Sequence, residues 1–207
     1  MTSSPGYAHE ALKRATAELH DRIEERMDLP ARLRSLDNYR AWLERLLGVA
    51  EPAERLVSTL DLPEALSFPE RRKVSLLETD LLALGRDACE IDRIPRATGL
   101  PETVSMPAAL GWLYVLEGQT LGGRLILRQA QRALSVDESR GARFLAGYGD
   151  RTGAMWREFL HVLADELRSP AAIDEAIAGA HACFALFERW LTDVSGAAEH
   201  AATRQVA

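Results

Sequence analysis

Cysteine is nearly absent from this chain. Its 207 residues include two, Cys89 and Cys183, with no C-x-x-C pair between or around them. That excludes a disulfide framework and any thiol motif for covalent cofactor attachment. No apolar run approaches the roughly 20 residues that cross a bilayer, so no membrane span is expected. Basic residues are outnumbered: 25 Lys and Arg stand against 31 Asp and Glu, a formal net charge of −6. An acidic chain is a poor general nucleic-acid binder, because phosphates call for a cationic surface. The stretch from Met1 to Ala8 holds neither a basic nor an apolar segment. No secretory signal is therefore expected, and the chain is read as cytoplasmic. Internal repeats and low-complexity tracts are also missing. What is present is ordinary globular material, 47% apolar and 27% charged residues, enough for one sizeable core in one domain.

Helix signals dominate. Leu12, Thr16, Leu19, Ile23 and Met27 recur at steps of three or four with charges between them, which predicts a helix over 9–27. Asp37 reads as the N-cap of a second helix that ends at Glu51-Pro52, and a third follows over 53–60. Ser67 and Glu70 have the spacing of a capping box ahead of a helix faced by Val74, Leu77, Leu81 and Leu84, with Gly85 as its stop. Residues 86–105 read as loop. Helix returns over 143–167 with an interruption at 147–153. Ser169-Pro170 caps a last helix through Ile173, Phe184, Phe187 and Leu191. The domain is placed at 9–194, and the polar or small ends, 1–8 and 195–207, are read as mobile.

The segment 111–127 reads in two ways. Trp112-Leu-Tyr-Val-Leu116 has strand propensity, and the glycines after it would make a turn. Pro107 upstream and the run to Leu134 downstream favour one long helix, and a lone hairpin would have no sheet to join. In a helix, Gly118 and Gly122 share a face. Interior glycines cost about 1 kcal/mol each relative to alanine, so three close together need a reason. One is close approach of bare backbone to something flat and large. The structural alternative is helix–helix contact through small residues. Phosphate cradling is disfavoured, since neither G-x-G-x-x-G nor G-K-[ST] is present.

Of the histidines, His9 and His200 lie near the chain ends, whereas His20 sits at the edge of the first helix's apolar stripe. A hydrogen-bonded boundary histidine is the bland reading and a metal ligand the functional one. Glu158 and His161 have the Glu-x-x-His spacing of di-iron bundles, but a di-iron site needs two such motifs, and this chain has one.

Leu12-Lys-Arg-Ala-Thr-Ala-Glu-Leu-His-Asp-Arg-Ile-Glu24, followed by Tyr114-Val-Leu-Glu-Gly-Gln-Thr-Leu-Gly-Gly123, resembles the haem oxygenase family, most closely its bacterial biliverdin-forming members. The resemblance runs from about Leu12 to Leu191. It implies an all-α, single-domain helical bundle holding haem b between a proximal helix and a kinked distal helix. By that resemblance His20 is the proximal iron ligand, and Glu24 hydrogen-bonds its imidazole. Lys13 pairs with a haem propionate, and Thr16 lines the haem face. Gly118 and Gly122 are the distal glycines, with Gly123 beside them. Tyr114 stands near a propionate, Arg157 is a second propionate partner, and Phe184 or Phe187 joins the hydrophobic wall. Gln119 stands where animal members carry an aspartate that organises distal water; an amide can also anchor water.

The resemblance further implies oxidative opening of haem to biliverdin, carbon monoxide and ferrous iron, with haem as both substrate and cofactor. A non-catalytic haem-binding or carrier protein of the same fold is the alternative. Dioxygen is the co-substrate. No flavin or nicotinamide motif is present, so electrons must come from a donor such as ferredoxin or a flavodoxin/reductase. A bilin-accepting protein is a further implied partner. Arg124, Arg128 and Arg132 form a basic stripe that could dock an acidic donor or simply be a solvated face.

Overall fold

The computed structural model describes residues 6–192, and the descriptions below concern these. The regular elements are helical, and the only bridges in extended backbone are isolated ones at Asp137. The helices are α1 (Tyr7–Met27), α2 (Leu29–Arg32), α3 (Leu36–Val57), α4 (Phe68–Arg71), α5 (Val74–Ala83), α6 (Ala88–Asp92), α7 (Met106–Leu134), α8 (Arg143–Ala146), α9 (Thr152–Glu166) and α10 (Pro170–Thr192). The expected all-α class therefore holds, and the strand reading of 111–127 gives way to one helix. Residues 1–5 and 193–207, which include most of the expected mobile ends, lie outside the described residues. Tyr7 and Ala8 do not behave as a loose end: both are helical, and Ala8 is buried.

α10 is the central post, with α7, α1 and α3 packed around it. Its closest neighbour is α7, and glycines make that approach possible. A Cβ on Gly111 of α7 would lie 2.7 Å from the Ala180 nitrogen and on top of the Ala176 carbonyl. A Cβ on Gly179 of α10 would lie 2.8 Å from the Ala108 carbonyl carbon. α3 is tied to α10 by Trp190, whose Nε1 donates to the Arg45 carbonyl at 2.8 Å under the Arg45 guanidinium. Tyr39 of α3 donates its hydroxyl to the Gly141 carbonyl at 2.9 Å inside the core. Fully buried leucines such as Leu12, Leu43, Leu47 and Leu110 fill the space between, each contributing about 1.5–3 kcal/mol.

Three local expectations change. The expected second and third helices are one, α3, which runs straight through Pro52 from a Ser35 cap. Pro52 has no N–H for the Gly48 carbonyl, and the Ala97 N–H takes that acceptor instead at 2.8 Å. Ser67 makes no capping hydrogen bond and precedes only the short α4. The capping box lies at Asp87 and Glu90, opening α6 inside the stretch read as loop.

Candidate functional site

α1 lies along α10 in the same chain direction, and the first turns of α7 pack on α10 at close range. On one side the Ala15 carbonyl meets His181 at 2.9 Å, the His20 ring meets Phe184, and Arg22 and Arg26 meet Glu188. On the other, Ser105 donates to Glu175, and Ala108 and Gly111 press on Gly179 and Ala180. The two helices touch where the Tyr114 hydroxyl reaches Thr16. His20 follows Thr16 by one turn, and Gly118 follows Tyr114 by one turn. The two segments that carry the family resemblance thus each pass through a shared contact one turn before their key residue, and Phe184 of α10 meets the His20 ring.

The α1 side carries an exposed imidazole. The His20 side chain is 57% exposed, its Nε2 is 3.7 Å from Glu24 Oε1, and its ring meets Phe184 edge-on with centroids 6.4 Å apart. Glu24 engages one ring nitrogen, and no other protein group bonds the ring among the described residues. Lys13 is exposed two turns earlier. Thr16 is buried, and its hydroxyl donates to the Leu12 carbonyl at 2.9 Å.

The α7 side carries bare backbone. A Cβ built on Gly118 or Gly122 meets nothing within 4 Å. Leu121 and Leu125 extend the stripe at i+3 and i+7 from Gly118, and they are 42% and 58% exposed. Open glycines flanked by unburied leucines form an apolar face that the fold itself leaves uncovered. Gln119, half-buried, stands beside Gly118. Gly123 takes another role. A Cβ there would lie 2.9 Å from the Leu145 carbonyl oxygen, so this glycine seats α7 against α8 and faces away from the open stripe. α8 is itself held by Asp80, whose carboxylate accepts from the Arg143 and Phe144 N–H groups at 2.7 and 2.8 Å.

The sequence reading missed the inner end of the site. His9 falls on the same α1 face as Lys13, Thr16 and His20, at steps of four, three and four. Its ring lies 6.2 Å from Tyr114 and 5.8 Å from Trp156. Burial lowers the His9 pKa, against the pull of Glu10, and favours the neutral ring. Burial also raises the Tyr114 pKa, keeping it a phenol. Trp156 and not its neighbour Arg157 completes this aromatic group, at 5.8 Å from Tyr114. Arg157 is exposed and donates to the Gly153 carbonyl of its own helix, so the structure does not bring it to the other site residues. Phe187 is buried in the core, while Phe184 meets His20. The helical spacing from His20 back to His9 was the available signal, obscured by the assumption that the chain end is loose.

Beneath the α7 stripe lies a second feature absent from the sequence reading. Glu117 is buried and accepts from Arg71 at 2.7 Å, Lys73 at 3.0 Å and the Tyr148 hydroxyl at 2.7 Å. The Arg124–Arg128–Arg132 stripe is exposed on the outside of the same helix. Arg124 approaches Asp150 at 3.8 Å, and no ion pair is made by Arg128 or Arg132 among the described residues. A cleft of about 460 Å³ between the end of α3 and α4, lined by Leu60, Pro63, Phe68 and Arg72 among others, shares no residue with this site.

An open imidazole, a bare apolar helix face and a cation near their inner end suit a flat apolar ligand with an anionic edge. Comparison with known proteins agrees. A family model described as heme oxygenase matches residues 7–193. A heme oxygenase of Xanthomonas campestris pv. campestris is 38% identical over 125 residues, which cover 58% of this chain and 68% of that protein. Heme oxygenase PigA of Pseudomonas aeruginosa is 31% identical over 153 residues, covering 72% of this chain and 73% of that protein. Among solved structures, the NO- and CO-bound heme oxygenase of Neisseria meningitidis aligns at TM-score 0.77 with 26% identity, over 89% of each chain. Heme oxygenase-1 of the cyanobacterium Synechocystis, solved with heme, aligns at TM-score 0.70 over 96% of this chain and 97% of that one. At 18% identity that last likeness concerns the fold alone.

Proposed function

Because the chain belongs to the haem oxygenase family, whose members degrade haem oxidatively, we propose that His20 and the Gly118–Gly122 backbone hold haem b from opposite sides while it is opened to biliverdin, carbon monoxide and ferrous iron. The observation that carries this reading is the uncovered stripe on α7, where two glycines have empty space in place of any neighbour. Bound haem supplies an iron that reacts with dioxygen and a ring that is the carbon skeleton oxidised.

The residues divide the remaining work. The His20 imidazole would hold the iron, and Glu24 on the other ring nitrogen would orient it and strengthen it as a ligand. Lys13 supplies a positive charge for a propionate, and Tyr114 a phenolic hydroxyl for it. Gly118 and Gly122 let backbone come against the ring without a side-chain acid or base. That leaves proton supply to water, for which the Gln119 amide is a fixed donor and acceptor. Steric crowding by this backbone then selects which edge of the ring reacts. Electrons come from outside, from a ferredoxin or a flavodoxin/reductase docked on Arg128 and Arg132, and the product passes to a bilin-accepting protein.

Haemin added to the protein under air with ascorbate or ferredoxin tests the reading. The Soret band should disappear, and chromatography should recover biliverdin. His20→Ala should lose the histidine-ligated spectrum and at least about 100-fold in turnover, as expected for a directly acting group. A Soret band that survives reductant and air would instead identify a haem carrier.

A further inference from the structure

The buried ionic cluster behind α7 is chemistry that the reaction above does not use. Glu117 immediately precedes Gly118. Its carboxylate takes three donors: Arg71 Nη1 on Oε2, and Lys73 Nζ and the Tyr148 hydroxyl on Oε1. Arg71, Lys73 and Glu117 are each 2% exposed. Arg71 also gives both terminal nitrogens to the Met155 carbonyl at 3.1 Å and its Nε to the Leu66 carbonyl, which ties α7 to α9 and to the turn before α4. Lys73 Nζ donates to the Arg71 carbonyl at 2.7 Å. Glu54 of α3 accepts from the Lys73 and Val74 backbone N–H groups, and Arg71 Nη2 also lies 3.6 Å from Glu158 Oε2 at the edge of the cluster.

Such a cluster is a poor way to gain stability. Desolvating buried charges costs as much as their attraction returns, and apolar residues of the same volume often do better. What it does supply is direction, since a carboxylate with three fixed donors holds one rotation of its helix. α7 needs that at this point. Gly118, Gly122 and Gly123 weaken it, and its open face has no protein neighbour to set its depth. Behind the same turns, Thr120 packs its methyl on Gly147 and Gly123 abuts Leu145.

We propose that Glu117, held by Arg71, Lys73 and Tyr148, is a positioning residue that fixes the rotation and depth of the Gly118–Gly122 face toward haem. The proposal rests on the haem reading above, and the test separates the two. Two variants are used: Glu117→Gln, which removes the charge, and Tyr148→Phe, which removes one hydroxyl and leaves the ion pairs to maintain the fold.

Amide hydrogen exchange is measured on the haem-free variants, and the pH of the ferric aqua-to-hydroxo spectral change on their haemin complexes. In Tyr148→Phe, exchange over 118–123 should rise about tenfold more than over 111–116 or α10. Its ferric transition should move by about half a pH unit or more, with Glu117→Gln moving further in both. Uniform exchange along α7 and α10, or a ferric transition identical to that of the unaltered protein, would overturn the proposal while leaving the haem reading intact. Failure of the unaltered protein to take up haemin would overturn both.

Discussion

α7 contains two kinds of glycine, and its first turns and its middle use them in opposite ways. At the start, Gly111 lies under the backbone of α10, with no room for even a methyl group. Seven and eleven residues later, Gly118 and Gly122 have no protein atom where a methyl would go. Gly123, next in sequence, is again closed by Leu145. The first kind of glycine lets helices meet. The second keeps a surface low so that something outside the chain can meet it. One helix therefore serves as core strut and as ligand wall, and residue type alone does not separate the roles.

Alanine substitution turns that contrast into opposite signs. Gly111→Ala drives a methyl into the Ala176–Ala180 backbone and should cost at least about 3 kcal/mol in chemical denaturation. A loss under about 1 kcal/mol would mean that α7 and α10 can separate freely. Gly118→Ala in the haem-free protein should instead stabilise by up to about 1 kcal/mol, because the methyl meets nothing and helix propensity improves.

The wall behind the open stripe offers a pH test. Burial holds the Asp80 carboxyl at about 6, above its ordinary 3.8, despite the two α8 N–H groups it accepts. The folded state thus binds this proton more tightly than the unfolded state. Asp80 therefore favours folding below about 3.8 and loses that contribution as pH rises through about 6. The effect is on the order of 3 kcal/mol. Thermal midpoints of Asp80→Asn should show a flatter slope than the unaltered protein between these limits, and parallel slopes would remove Asp80 from the account. The smallest effect belongs to the outer face of α7. Arg128→Glu should slow reduction by an acidic donor about two- to fivefold at low salt and leave it unchanged at high salt. Equal rates at low salt would assign the arginine stripe to solvent.

Much of this was legible before any coordinates. The long helices announce themselves through periodic apolar residues and through Ser169, which caps α10 as expected. The glycine run stands out because clustered interior glycines are costly without a purpose, whereas His20 stands out only through the resemblance of the segment that carries it. The misreadings have physical causes. Pro52 broke a helix on paper because the hydrogen bond that replaces its own comes from Ala97, far along the chain. His9 was set aside for its nearness to the end, although Tyr114 and Trp156 hold it. Glu117 carries no signal of its own in the sequence, since its three donors come from segments separated along the chain. Gly118 and Gly123 were grouped together because sequence does not reveal which side of a helix is covered.

Haemin titration of Gly118→Leu, with the haem-free stability measured alongside, tests the clamp most directly. A leucine on the open stripe should leave the fold at least as stable as before and weaken haemin binding by at least about tenfold, by occupying the space where the ring would lie. Unchanged haemin affinity and an unchanged Soret spectrum in a folded Gly118→Leu protein would show that haem does not sit against this helix.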